Sequence, residues 1–182
     1  MSSKKLLYPK GNNDECYTPE YAIEPIIKYI NLFMEQNKKK HLTIWCPFDT
    51  TESFFVKKFS QLNYITCIHS HIKDGQDFFI YEPQKWDIII SNPPFTNKRK
   101  FFERALSFKK PFALIMANTW LNDKYSKFVF KEANREMQLL FFDKRIHFIQ
   151  NKTVSKNTTF SSSYFCCDFL PKQIIIEEIS YK

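Results

Sequence analysis

Glycine is almost missing from this chain of 182 residues, which holds only Gly11 and Gly75. Nearly every turn must therefore be built from residues that carry a side chain, and few places let bare backbone approach a ligand. Cysteine is present without a pairing pattern. Cys16, Cys46, Cys67, Cys166 and Cys167 are odd in number and contain no C-x-x-C pair, so neither a disulfide framework nor a zinc site is indicated. The four histidines (41, 69, 71 and 147) add no ligand cluster. His69 and His71 have strand spacing and read as structural, so no metal is expected. No apolar run approaches the length of a membrane span. The start, Met-Ser-Ser-Lys-Lys-Leu-Leu-Tyr-Pro, has no signal-peptide core. A cytoplasmic protein without a membrane partner is expected. Repeats and low-complexity segments are also missing. Acidic residues are in deficit, 19 against 27 basic ones, for a net charge of +8. That balance suits a polyanionic partner.

What is present is a globular composition. Hydrophobic residues make up 43% and there are 20 Phe, enough to bury a core without staples. The length predicts one domain, 1–182. Helical periodicity runs over residues 20–34 (Ile23, Ile26, Ile27, Ile30), with Thr18 as its N-cap and Pro19 at its first position. Strands are expected at 42–46, 63–69, 87–91, 111–116, 138–142, 163–169 and 174–179. Helices are expected at 52–61, 98–107 and 125–134. Strands and helices alternate first and strands dominate later. The order predicts an α/β fold, a mainly parallel sheet with an antiparallel C-terminal hairpin at one edge.

The most informative stretch is Trp86-Asp87-Ile88-Ile89-Ile90-Ser91-Asn92-Pro93-Pro94-Phe95. Ile88 to Ile90 read as a buried strand. Pro93 and Pro94 must end it, since neither has an N–H for a ladder. In an open α/β sheet, that edge is where ligands bind. The amide oxygen of Asn92 and the carbonyl of Pro93 make two acceptors at fixed geometry. An exocyclic amine has two N–H donors to match them. Accepting both draws the nitrogen toward tetrahedral geometry and frees its lone pair. Phe95 adds a face on which a base can stack. Lys98-Arg99-Lys100 is the cationic cluster beside this site.

Ser91-Asn92-Pro93-Pro94-Phe95 resembles the catalytic motif of S-adenosylmethionine-dependent N6-adenine DNA methyltransferases, and the chain looks closest to small phage-type members of that group. The resemblance covers about residues 14–170 and holds in order. Tyr17-Thr18-Pro19 resembles the segment that folds over the methionine end of the cofactor. Cys46-Pro47-Phe48-Asp49 resembles the turn after the first strand. Thr50 and Glu52 stand there where the family usually has glycine, and Cys46 where it usually has an acid. Ser70, in His69-Ser70-His71, stands where an acid would hold the ribose hydroxyls. Asp77 and Phe78 match the pair that binds the cofactor's adenine. Phe160, in Thr158-Thr159-Phe160-Ser161-Ser162, matches the aromatic that sandwiches a flipped base against Phe95.

The resemblance implies a class I methyltransferase (Rossmann-like) fold, S-adenosylmethionine as cofactor and methyl transfer to a flipped adenine. Asn92, Pro93, Pro94 and Phe95 would be catalytic, and Ser91, Lys98, Arg99, Lys100 and Phe160 would meet the substrate. The partner is then DNA, with RNA or a protein glutamine as other substrates of the same motif. No separate target-recognition domain is expected within these 182 residues. A second expectation keeps the fold without turnover: a nucleic-acid- or protein-binding counter-defence factor, such as an anti-CRISPR protein that binds a host defence protein.

Overall fold

The computed structural model describes residues 16–150, 153–154 and 160–181. Its first elements are a single helical turn Glu20–Ala22 and α1 (Glu24–Gln36). The periodic stretch thus splits instead of forming one helix from Pro19. Pro25 is the reason: it lacks an N–H, its ring excludes the carbonyl four residues before it, and it is tolerated only in a first turn. Thr18 accordingly makes no capping bond. Next come β1 (Leu42–Cys46), α2 (Phe54–Ser60, capped by the Ser53 hydroxyl) and β2 (Ile65–His69). A single turn Ile72–Asp74 ends on Gly75 at φ +75°, a conformation that favours glycine. Then follow β3 (Ile88–Ser91), α3 (Lys98–Ser107), β4 (Phe112–Ala117) and α4 (Lys124–Glu132). The chain continues through β5 (Gln138–Phe142), the short pair β6 (Ile149–Gln150) and β7 (Thr153–Val154), β8 (Ser162–Cys167) and β9 (Ile174–Glu177).

Seven strands form one sheet in the order β2-β1-β3-β4-β8-β5-β9. All run parallel except β8, which is antiparallel to both neighbours. The mainly parallel sheet with antiparallel C-terminal pairing is therefore present. The antiparallel strand lies inside the sheet, however, and β9 forms the edge. Burial explains the placement. Every residue of β8 is buried, which requires cover on both faces, whereas β9 alternates exposed and half-buried. The β6–β7 hairpin was not legible as strands.

Helices cover both faces. On one face α1 and α2 place Ile26, Ile30, Phe55 and Phe59 against Ile44, Ile90, Ile115 and Tyr164. On the other, α3 and α4 place Phe102 and Phe130 against Trp45, Ile89, Leu114 and Phe165. Among the described residues no helix is long and apolar enough to cross a membrane. Leaving β1, the chain goes to β2 on one side and then to β3 on the other. The strand order therefore reverses between β1 and β3, and the crevice beyond their carboxyl ends is where such sheets bind ligands.

Candidate functional site

Ser91 closes β3 at that crevice. It is buried, and its hydroxyl donates to one carboxylate oxygen of Asp49, in the turn after β1. The Ser53 hydroxyl donates to the other oxygen at 2.5 Å. Burial pushes the Asp49 carboxyl up to about 6, and the two hydroxyl bonds oppose that rise. Asp49 is thus a buried clamp that ties the β1 turn to the end of β3.

Asn92 follows directly. Its amide nitrogen donates to the Cys16 carbonyl at 2.8 Å. Its amide oxygen is buried and has no hydrogen-bond partner. A buried acceptor left in this state is costly until a water or a ligand supplies a donor. Pro93 is buried and Pro94 half-buried, and the Pro93 carbonyl precedes a nitrogen that carries no hydrogen.

Phe95 meets Phe160 edge-on, with centroids 5.5 Å apart at 74°, and Phe148 at 5.8 Å and 84°. Phe148 and Phe160 are themselves stacked at 6.2 Å. The expected approach of Phe160 to Phe95 is present. A base between two parallel rings needs them about 7 Å apart, two van der Waals contacts. The three rings are therefore closed on one another, and a base enters only if they part. Thr158 and Thr159, beside Phe160, lie outside the described residues.

The N-terminal segment runs past the same place. Tyr17 exchanges two backbone hydrogen bonds with Ile149, both 2.9 Å. Thr18 and Pro19 are buried, and the Thr18 hydroxyl has no partner.

On the β1–β2 side, Cys46 and Pro47 are buried and Phe48 half-buried. Burial pushes the Cys46 thiol up, and its sulfur lies 3.9 Å from that of Cys67. Of the residues in place of glycine, Thr50 is half-buried and its hydroxyl accepts from the Glu52 N–H at 3.3 Å, whereas Glu52 is exposed and reaches away to Lys57 at 3.1 Å. No residue of 46–53 has a positive φ, so the turn closes without glycine's conformational freedom. The Ser70 hydroxyl accepts from the Trp45 indole at 2.9 Å and is fully buried. One carboxylate oxygen of Asp77 accepts from the Phe79 N–H at 2.9 Å, a turn role. Phe78 is buried between Trp45 and Phe48, at 5.5 and 4.8 Å.

The basic cluster opens α3. Lys98 is half-buried, and burial lowers its pKa despite the opposing charge of Asp123. Arg99 pairs with Glu103 at 2.5 Å and lies 4.5 Å over the Tyr125 ring. Lys100 is exposed.

The bonds and ring contacts above thus tie Ser91 to Asp49, Asn92 to the N-terminal segment at Cys16, Tyr17 to Ile149, and Phe95 to Phe148 and Phe160. Ser70 and Phe78 attach to the other flank of the crevice through Trp45 and Phe48. Three contributors escaped the reading of the sequence: the Cys16 carbonyl, Ser53 and Phe148. A carbonyl leaves no trace in residue type, and Phe148 was one Phe among 20.

The resemblance implies S-adenosylmethionine here. At its methionine end the buried Thr18 hydroxyl, which has no hydrogen-bond partner, is a group that could hold it. At its ribose the residues supply only the indole-held Ser70 hydroxyl, a weaker partner than a carboxylate.

An α/β sheet with this reversal is a Rossmann-like fold. Comparison with solved structures agrees. The type I restriction-modification system methyltransferase subunit from Streptococcus thermophilus matches with a TM-score of 0.53 and 10% identity. The match covers 89% of this chain and 46% of that subunit, so the chain spans less than half of that protein. At that identity the likeness shows the fold alone. No protein-family model matches the chain, and no curated protein does.

Proposed function

We propose that this chain is an S-adenosylmethionine-dependent methyltransferase that modifies the N6 amine of adenine in DNA. The observation that carries the reading is Asn92. Its N–H is held by the Cys16 carbonyl, and its oxygen is left buried and unpaired at the sheet's switch point. An amide anchored through one N–H has its oxygen fixed in place as an acceptor, as an exocyclic amine requires. The Pro93 carbonyl is the second acceptor. Together they orient the amine and raise its nucleophilicity without serving as strong bases. Phe95 stacks the flipped base, for which unstacking costs a few kcal/mol. S-adenosylmethionine, when bound, supplies the electrophilic methyl group. Asp49 keeps the β1 turn in register with Asn92. The net charge of +8 and the Lys98-Arg99-Lys100 cluster support a polyanionic substrate.

The test mixes protein, adenine-containing DNA and methyl-labelled cofactor. Label on N6 of adenine is expected, and Asn92→Ala should lower kcat about 100-fold or more, as loss of one preorganised polar group does. If no label reaches adenine and calorimetry shows no cofactor binding, the reading is lost.

One observation favours a second reading. Asp49 and Ser70 are both engaged inward, as in a chain that kept the fold and lost turnover. Such a binding factor, of the anti-CRISPR kind, would bind DNA or a defence protein with salt-sensitive affinity unchanged by Asn92→Ala.

A further inference from the structure

β9 is an outer edge of the sheet, and among the described residues no strand pairs with it on its far side. Its two faces differ. Ile175 packs on the core, and Glu177 is held by Lys28 at 2.7 Å and by the Tyr29 hydroxyl, so α1 covers this face. Ile174 and Ile176 point the other way and are 57% and 70% exposed. Natural edge strands are blunted by proline, a bulge or a charge on the open face. Residues 173–177, Gln-Ile-Ile-Ile-Glu, pair with β5 in unbroken register and carry none of these there. The main chain is open in the same way. The carbonyls of Gln173 and Glu177 accept from the Leu139 and Asp143 N–H groups on the β5 side. Backbone groups alternate along a strand, so the N–H and C=O of Ile174 and Ile176 face outward, with no strand to meet them.

This edge is complementary to itself. Lys172, Ile174, Ile176 and Glu178 are all exposed and stand at every second position. When the stretch is turned end for end about Ile175, Lys172 meets Glu178 and Ile174 meets Ile176, and the other half repeats both meetings. We propose that β9 is a dimerisation strand: it pairs antiparallel, in this register, with β9 of a second copy and joins two seven-stranded sheets into one. The backbone phase matches. Ile174 and Ile176 become the residues that exchange both N–H···O=C bonds, and Ile175 meets its copy at the unbonded position. A slide by two residues keeps the phase but sets Lys172 against Ile176, or Glu178 against Ile174. Only the register about Ile175 joins apolar to apolar and opposite charge to opposite charge. In it residue i meets j and j meets i, as a two-fold interface requires. That self-match selects a second copy over an unrelated partner. The surface uses no residue of the crevice, so it stands apart from methyl transfer.

Analytical ultracentrifugation of wild type over a micromolar concentration series should show a reversible monomer–dimer equilibrium. Lys172→Glu and Glu178→Lys each set like charges face to face at both ends of the pairing. Each should raise the dimer Kd about tenfold at low salt, and added salt should shrink the difference. The double variant Lys172→Glu/Glu178→Lys brings opposite charges together again and should return the Kd to that of wild type. An equimolar mixture of the two single variants should dimerise as well, because each end then joins opposite charges across unlike chains. Both positions are exposed, and a thermal melt checks that every variant is folded. Wild type that stays monomeric throughout the series would overturn the proposal. So would single variants that dimerise as tightly as wild type, or a double variant and a mixture that stay as weak as the single variants.

Discussion

Asp49→Asn is the most informative single change for the clamp at the switch point. The carboxyl is buried and pushed from an ordinary 3.8 up to about 6, chiefly because burial penalises its charge. Each tenfold change in proton affinity is worth ~1.4 kcal/mol, so the gap corresponds to about 3 kcal/mol. The sign follows from the folded value lying above the unfolded one. Between pH 4 and 6 the folded state holds more protons than the unfolded state. The stability that protonated Asp49 lends is thus fully present below about pH 3.8 and is lost as pH rises through about 6. Asparagine carries no charge to bury. Its oxygen can accept from one hydroxyl while its N–H₂ donates to the other, so Ser53 and Ser91 both keep partners. Urea unfolding of wild type and Asp49→Asn across pH 4 to 8 is the assay. The variant should gain on wild type as pH rises, by up to about 3 kcal/mol, and the difference should level off above about pH 7. A difference that does not vary with pH would refute a buried, charge-penalised Asp49.

Other outcomes follow from particular contacts. Gly75→Ala places a Cβ where nothing lies within 4 Å, but at φ +75°, so a loss of about 1–2 kcal/mol from backbone strain alone is expected in a denaturant melt. Tyr164→Phe removes the buried bond from the Tyr164 hydroxyl to the Ala22 carbonyl at 3.0 Å. It leaves that carbonyl unpaired and should cost about 1–3 kcal/mol, read as a drop in Tm. Phe148→Ala takes a ring that is 3% exposed out of the closed trio. It should cost about 3–5 kcal/mol, and intrinsic fluorescence or a thermal scan would show whether the fold survives.

The relation between sequence and structure differs from element to element. The strand that ends at Pro93 was legible because proline cannot continue a ladder and because three consecutive isoleucines demand cover on both faces. The alternation of strands and helices foretold the parallel sheet. The split before α1 is also written in the chain, in Pro25, although the isoleucine periodicity runs straight through it. The interior position of β8 was less legible. A run of apolar and small residues fits an inner strand or an edge strand until its neighbours are known.

The chain's own order of residues determined that a polar, proline-stiffened turn with an aromatic ring would stand at the end of a central strand. Local sterics and hydrophobic burial act within a few residues, so that much is decided locally. Only the tertiary structure decided how each polar group is engaged. It placed the Cys16 carbonyl 76 positions away on the Asn92 amide, closed Asp49 between Ser53 and Ser91, and left the Asn92 oxygen and the Ser162 hydroxyl buried without partners. Hydrogen bonds between distant segments depend on where the fold brings them, and residue identity alone does not carry that information.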